Sequence, residues 1–333
     1  MPSEVEAART ATGPSPLLRL RAARVTSETP DIRIVEFVDP SGADLPRFTA
    51  GAHVDVHLAD GIVRQYSLCN DPAERHRYTI AVLREKAGRG GSAAVHALRE
   101  GDLLDVSVPR NNFPLAGSDA RFHLLLAGGI GVTPMIAMIA ELQARGAAFR
   151  MHYCTRAREN TAFLSQLLPL IEAGHVILHH DGGDPSRGLD LQTTLATHQP
   201  GAHVYICGPS GFIAAAQQAS GAWPADCVHV EHFSAVAMTE DEAAWDAQPF
   251  KVKIAGTGQI FDIPAGRSIV EVLRAAGIPV ETSCEDGFCG TCLTRYVEGD
   301  PVHRDAVLGP SERKNFVMIC RARSRSRMLV LDL

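Results

Sequence analysis

Three cysteines stand within nine residues in "SCEDGFCGTCL". Cys284, Cys289 and Cys292 have the spacing C-x4-C-x2-C, and Cys320 follows after 27 intervening residues. Four thiolates spaced this way suit a plant-type [2Fe-2S] cluster, in which one loop supplies three of the four ligands. Zinc is the other chemistry open to four cysteines, but structural zinc sites usually take two close pairs with two to four residues between partners. Gly287 and Gly290 favour the cluster, because a residue without Cβ lets the backbone wrap closely and turn its N–H groups toward sulfur. The cluster is therefore expected on Cys284, Cys289, Cys292 and Cys320.

The cysteines also bear on location. The opening "MPSEVEAARTATGPSP" has neither the basic segment nor the apolar core of a secretion signal. The expected setting is a reducing, cytoplasmic one without disulfides. Of the other four cysteines, Cys69, Cys154 and Cys227 lie in apolar strand contexts and read as ordinary buried thiols.

Two short motifs suit a phosphate-bearing ring cofactor. "RQYS" spans Arg64, Gln65, Tyr66 and Ser67, and "GRGGS" runs from Gly88 through Gly90 and Gly91 to Ser92 at the start of an expected helix. Glycines permit close approach of the backbone to a ligand, a helix start attracts an anion, and Arg64 supplies a cation. Each motif taken alone also reads as a plain strand segment and a flexible turn with Ser92 as helix cap.

Two further motifs suit a nicotinamide nucleotide. "AGGIGVTP" follows one expected strand and opens a helix, with Gly129 and Gly131 at the turn and Thr133 before Pro134. It departs from the dinucleotide fingerprint, since Pro134 stands where a third small residue belongs and no acid ends the next strand. "YICGPSGF" ends another strand with Cys207, Gly208 and Pro209, and ligands of open α/β sheets gather beyond such strand ends. Thr155 and Arg156 open "TRAREN", and Asp181 lies in "HHDGGDP". Asp181 suits ribose hydroxyls and repels a 2'-phosphate, whereas Arg156 and Arg158 suit that phosphate.

These motifs need elements to carry them. Residues 15–116 read as short strands separated by Gly, Pro and Asp turns with a single helix, the pattern of a small antiparallel β-barrel. Residues 117–233 alternate strand and helix, which implies an α/β unit with a parallel sheet covered on both faces. Residues 234–249, rich in alanine and acids, read as a linker that Trp245 pins to a neighbouring surface, and residues 250–333 form a third unit around the cysteine loop. The apolar run "LLLAGGIGVTPMIAMIA" approaches the length of a membrane span, but three glycines and Pro134 interrupt it. A net charge of -6 gives no electrostatic case for nucleic acid or an anionic membrane.

In their order along the chain, "RQYSLCN", "GRGGS", "AGGIGVTPM", "YICGPSGF" and the cysteine loop resemble the phthalate dioxygenase reductase family over nearly the whole length. The resemblance implies a flavin barrel, a nicotinamide domain and a C-terminal β-grasp ferredoxin domain. It implies FMN, with Arg64, Gln65, Tyr66 and Ser67 against the flavin and Gly90, Gly91 and Ser92 receiving its phosphate. It places Cys207 and Gly208 near the nicotinamide during hydride transfer, puts Phe233 of "EHFSA" over the flavin, and favours NADH. The implied partner of this monomer is a Rieske-type non-haem iron oxygenase.

Together these centres explain the cysteine loop. NADH delivers two electrons as hydride and a [2Fe-2S] cluster accepts one, so FMN must take up the pair and release single electrons in succession. The expected activity is an NADH-dependent reductase of an aromatic dioxygenase or demethylase. A general diaphorase or a donor to a cytochrome is the enzymatic alternative, and a redox sensor the non-enzymatic one.

Overall fold

The computed structural model describes residues 16–85, 88, 90–234, 240–309 and 311–333. The opening segment, Arg89 of "GRGGS" and the middle of the expected linker lie outside the described residues.

The first sheet contains β1 (Leu17–Thr29), β2 (Ile32–Val38), β3 (Ala52–His57), β4 (Val63–Ser67), β5 (Tyr78–Leu83), β6 (Leu103–Ser107) and β7 (Arg110–Asn111). Its order is β4-β3-β6-β1-β2-β5, with β7 added on β3, and every pairing is antiparallel. Alternation builds its core: Leu20 and Ala22 of β1, Val35 and Phe37 of β2, and Val54 and Val56 of β3 all point inward. Among the described residues β4 and β5 form no ladder with each other. The chain leaves β4 after Ser67, and the segment that follows reaches β5 by single contacts: Cys69 N–H donates to the carbonyl of Thr79 at 2.9 Å and Thr79 N–H to Asn70 Oδ1 at 2.9 Å. The single helix, α1 (Gly91–Ala97), forms where expected.

β3 is unusual for an antiparallel strand in being buried on both faces. Its outward His53 and Asp55 are 1% and 4% exposed. A covered outer face requires a neighbour, and that neighbour is partly the cysteine-loop unit: Ser283 donates to Asp55 Oδ1 at 2.7 Å.

The second sheet is wholly parallel, with order β10-β9-β8-β11-β12, built from β8 (Phe122–Gly128), β9 (Phe149–Thr155), β10 (Val176–His180), β11 (Ala202–Cys207) and β12 (Val228–Glu231). Helices α2 (Val132–Arg145), α3 (Leu164–Glu172), α4 (Leu191–Leu195) and α5 (Ser210–Ala219) connect it. Leu125 of β8 packs into a core with α2, while Leu124 and Leu126 face a second core with Trp223 and Ile213. Each such fully buried leucine contributes about 1.5–3 kcal/mol of transfer free energy. The apolar run 124–140 is thus a strand, a turn at Gly129–Gly131 and a helix. No helix among the described residues is long and apolar enough to cross a membrane.

Beyond the second sheet, α6 (Glu240–Asp246) leads into β13 (Phe250–Ile254) and β14 (Ile260–Ile263), then α7 (Ile269–Ala275). Ser268 and Glu271 close a capping box at the start of α7. After the cysteine loop come β15 (Leu293–Glu298), β16 (Pro301–Val302), β17 (Phe316–Met318), β18 (Arg323–Ser324) and β19 (Met328–Leu331). The main sheet runs β14-β13-β19-β15-β17, and β16 pairs with β18.

The described end of the 234–249 segment is helical and held down. Arg323, 1% exposed, stacks on Phe250 at 4.8 Å and donates to the carbonyls of Trp245 (3.4 Å), Arg267 (2.6 Å), Pro264 (3.2 Å) and Gln248. Arg304 pairs with Asp246 at 2.7 Å. Trp245 sits under Arg325, its ring 5.8 Å from the guanidinium carbon.

Candidate functional site

The ends of β8 and β11 come together so closely that side chains are excluded. A Cβ on Gly131 would lie 2.3 Å from the carbonyl oxygen of Cys207 and 2.6 Å from the nitrogen of Gly208. Gly128 and Gly208 are similarly pressed, with Cβ contacts of 2.9 Å to Pro209 and 3.0 Å to the Gly128 Cα. Gly129 takes φ +53° with open space around it, so it is glycine for its backbone alone. The "AGGIG" and "CGP" turns therefore form one compact edge at the carboxyl ends of parallel strands, where such sheets take ligands.

Cys207 pairs in register with Ala127 on one side and Glu231 on the other. Burial pushes its thiol well above the usual range, so it stays protonated and serves as a small packing group. Glu231 closes the link between the first two sheets, because the Ser67 hydroxyl donates to Glu231 Oε2 at 3.2 Å. Phe233, two residues on, packs half-buried on the core that contains Cys207. Ser67 and Cys207 thus both adjoin a glutamate that sequence reading missed, and Phe233 follows it two residues on. Part of the residue's surface is open, yet its carboxyl is densely surrounded, and this desolvation raises the Glu231 pKa to about 8.

That shift has a sign. A carboxyl that holds its proton in the folded chain above the ordinary value of 4.5 loses folded-state stability as pH climbs from 4.5 toward about 8. Glu231→Gln removes the group, so the stability of the variant relative to the parent is expected to rise across this window. Melting temperatures measured at intervals from pH 5 to 8 check it, and parallel curves would contradict it.

Around the "RQYS" strand the geometry suits a bound ring cofactor. A Cβ on Gly91 would lie 2.5 Å from Arg64 Cγ, so this glycine lets the Arg64 chain cross the first turn of α1. Tyr66 packs on the first core, and burial raises its phenol pKa. Gln65 is half-buried opposite Asp55. Gly90, at φ +85°, precedes the helix and is its cap in place of Ser92. The Ser92 hydroxyl instead accepts from Glu85 N at 3.0 Å, which closes the turn. His53, opposite Ser67 in register, has no hydrogen-bond partner among the described residues on either ring nitrogen, and burial drives its pKa to about 3. A neutral, unsatisfied imidazole beside Ser67 fits a polar ligand seated there.

Other expected nucleotide contacts are engaged locally. The Thr133 hydroxyl donates to Ile130 O at 3.1 Å, and the Thr155 hydroxyl bonds Thr161 at 2.8 Å and the carbonyl of Ala157 at 3.3 Å. Asp181 Oδ1 accepts from Gly183 N at 2.7 Å, while Arg156 is exposed next to that turn, its carbonyl accepting from Gly182 N at 2.9 Å. Here the residue types were readable, but their roles in the turns were not.

The four cluster cysteines are all reduced and buried, 2–4% exposed. Cys284 lies against Cys289 and Cys292 against Cys320. Among the described residues no three His, Cys, Asp or Glu side chains converge on a single-ion site. One loop that supplies three of the four thiols and aims backbone N–H groups at sulfur fits a [2Fe-2S] cluster better than one zinc. The loop adds donors, with Asp286 N reaching Cys284 Sγ at 3.3 Å and Thr291 N reaching Cys289 Sγ at 3.5 Å, while the Cys289 thiol donates to the Thr291 hydroxyl at 3.3 Å. Gly287 and Gly290 take φ +77° and +82°, which makes these turns possible. A cleft of about 640 Å³ separates Arg64 and Ile62 from Cys284 and Thr291.

Comparison with known proteins agrees with this arrangement. The 2Fe-2S iron-sulfur cluster binding domain family matches residues 252–325, and the oxidoreductase NAD-binding domain family matches residues 125–218. The reductase subunit of tert-butanol monooxygenase / tert-amyl alcohol desaturase from Aquincola tertiaricarbonis is 46% identical over 328 residues, covering 96% of this chain and 97% of that protein. Phthalate dioxygenase reductase from Burkholderia cepacia is 44% identical over 318 residues, with 95% and 97% covered. A solved structure of phthalate dioxygenase reductase aligns over 95% of this chain and 98% of its own, with TM-score 0.72 and 44% identity. With an NAD-binding unit, four cysteines spaced for a [2Fe-2S] cluster and such identity over nearly its full length, the chain belongs to the phthalate dioxygenase reductase family.

Proposed function

We propose that this chain is the NADH-dependent reductase component of an oxygenase system. It passes electrons from NADH through FMN and the [2Fe-2S] cluster to a Rieske-type non-haem iron oxygenase. The observation that carries this reading is one continuous line of contacts: the nucleotide edge at Gly131 and Cys207 touches Glu231, Glu231 touches Ser67, and the sheet carrying Ser67 holds the cluster loop. In this reading the chain divides into a flavin barrel (15–116), a nicotinamide domain (117–233), a linker (234–249) and a β-grasp ferredoxin domain (250–333).

When bound, FMN supplies the change from a two-electron to a one-electron carrier. The residues have simpler work. Gly129, Gly131, Gly208 and Pro209 shape the nucleotide edge, and Cys207 keeps it narrow and uncharged. Arg64, Gln65 and Tyr66 hold the flavin, with Gly90, Gly91 and Ser92 at its phosphate. Below about pH 8 Glu231 keeps a proton on its carboxyl beside the Ser67 hydroxyl, so no fixed negative charge faces a ring that gains electrons. Phe233, half-buried on the core that contains Cys207, would lie over the flavin face that nicotinamide approaches. Asp181 favours NADH by repelling a 2'-phosphate.

Anaerobic titration with NADH tests the reading. Flavin absorption is expected to bleach first, followed by the cluster. The reduced protein should then reduce a Rieske oxygenase encoded beside it. Flavin that NADH does not bleach, or zinc in place of iron, would end this assignment.

A further inference from the structure

The flavin-bearing sheet grips the cysteine loop at three points, and each lies next to a cluster ligand. Ser283, one residue before Cys284, donates to Asp55 Oδ1 at 2.7 Å. Thr291, between Cys289 and Cys292, accepts from Arg110 Nη2 at 3.2 Å. The carbonyl of Cys289 accepts from Asn112 Nδ2 at 2.9 Å. Asp55 and Arg110 are joined to each other, since the same guanidinium nitrogen donates to Asp55 Oδ2. Asp55 stands on β3 and Arg110 on β7, which pair in the same sheet, and Ser107 fixes the Asp55 N–H at 2.9 Å.

The parts of this clamp are built for one another. Asp55 is 4% exposed, and a carboxylate that deeply placed is tolerable only when hydrogen-bonded and paired, as both of its oxygens are. Gly290 lies close to this contact: a Cβ there would sit 3.2 Å from Asn112 Nδ2 and crowd the amide that holds the Cys289 carbonyl. Hydrogen-bonded groups on strands place a site more tightly than loops do.

We propose that Asp55 and Asn112 are positioning residues for the electron step from flavin to cluster. They set the separation and orientation of the cluster loop against the flavin unit and take no part in hydride transfer. The inference rests on the proposed order of centres, NADH to flavin to cluster. It assigns the rate of the second step to a polar contact between the units.

Stopped-flow mixing of the holoprotein with NADH separates the two steps, since flavin and cluster bleach at different wavelengths. Asn112→Ala removes one grip without touching a charge, Ser283→Ala removes a second while Asp55 keeps its Arg110 partner, and Asp55→Asn removes the charge pair while keeping an acceptor for Ser283. In all three, flavin reduction should stay within about twofold of the parent. Electron passage to the cluster should slow by about tenfold or more, on the scale of the roughly 100-fold that a 1 Å misplacement costs at a reacting centre. The magnetic coupling between flavin and reduced cluster, read by EPR, should weaken while the cluster's own g-values and midpoint potential stay put. Ser283→Thr, which keeps the hydroxyl, should restore the parent rate. An unchanged flavin-to-cluster step in Asn112→Ala and Asp55→Asn overturns the proposal, as does a slowing fully explained by a shifted cluster potential. If NADH fails to reduce flavin even in the parent, the proposed function itself fails, which is a separate result.

Discussion

Cys289→Ser is expected to abolish the cluster and bring electron delivery to an oxygenase down to background, while NADH still reduces the flavin at close to the parent rate. Serine offers a hard, protonated oxygen where a soft thiolate is required. Cys289 is also the most heavily supported ligand: it pairs with Cys284, lies beside the Thr291 N–H and hydroxyl, and presents its carbonyl to Asn112. The hydride step is spared because Ser67, Cys207, Glu231 and Phe233 all lie in the first two sheets or at the end of the second. The third unit should keep most of its fold, since Val252, Ile254, Leu273, Val317 and Leu329 form a core without metal, although losing bound metal lowers its stability. The parent should contain about two iron and two sulfide per chain and the variant neither. A variant that kept its iron, or one whose flavin NADH no longer reduced, would contradict the assignment.

How far the sequence revealed this arrangement depended on the distance over which each signal acts. The cysteine loop was legible because its ligands and glycines sit within nine residues and their spacing is itself the chemistry. The parallel sheet was legible through apolar runs such as "HLLLAG", buried on both faces. β1 was not, because "LLRLRAARVTSET" places arginines 19, 21 and 24 among its apolar residues and its side chains are largely on the surface. Alternating strands establish an antiparallel sheet with one buried face, but whether its end strands pair is decided by the turn after β4, which carries no local signal.

The site residues that went unseen act across the chain. Glu231 is 164 residues from Ser67, and Asp55 is 228 from Ser283. A glutamate ending a strand or an aspartate within one carries no local periodicity to mark it. One clue was available for each. Glu231 ends a strand that closes the α/β unit, where ligands gather, and Asp55 interrupts "AHVDVH", a run otherwise suited to burial.

Gly131→Ala should cut the rate of flavin reduction by NADH by about 10- to 100-fold, and it does so through sterics alone. Gly131 has φ −62°, a conformation any residue adopts, so backbone strain is not the issue. The added Cβ would fall 2.3 Å from the carbonyl oxygen of Cys207 and 2.4 Å from its carbonyl carbon, where ordinary contact begins at 3.4 Å. One of the two turns must therefore retreat by about 1 Å, a displacement that costs up to about 100-fold at a reacting centre. Neither turn can give easily, because β8 and β11 are hydrogen-bonded neighbours in the middle of the parallel sheet and Leu126, Ile206 and Cys207 are fully buried. Overpacking of this kind also costs about 1–3 kcal/mol of stability. Gly129→Ala separates this cause from a general sensitivity of the turn: its positive φ makes alanine about 1–2 kcal/mol worse, but the open space around it leaves the two turns in contact. Its flavin reduction should therefore fall much less. Adding Cys207→Ala to Gly131→Ala should not rescue the rate, since the clash is with the Cys207 backbone and not its thiol. Cluster spectra should be unchanged throughout. Stopped-flow flavin reduction across the three variants decides it: a Gly131→Ala protein as fast as its parent, or one restored by Cys207→Ala, would show that the two turns do not form the nucleotide edge described.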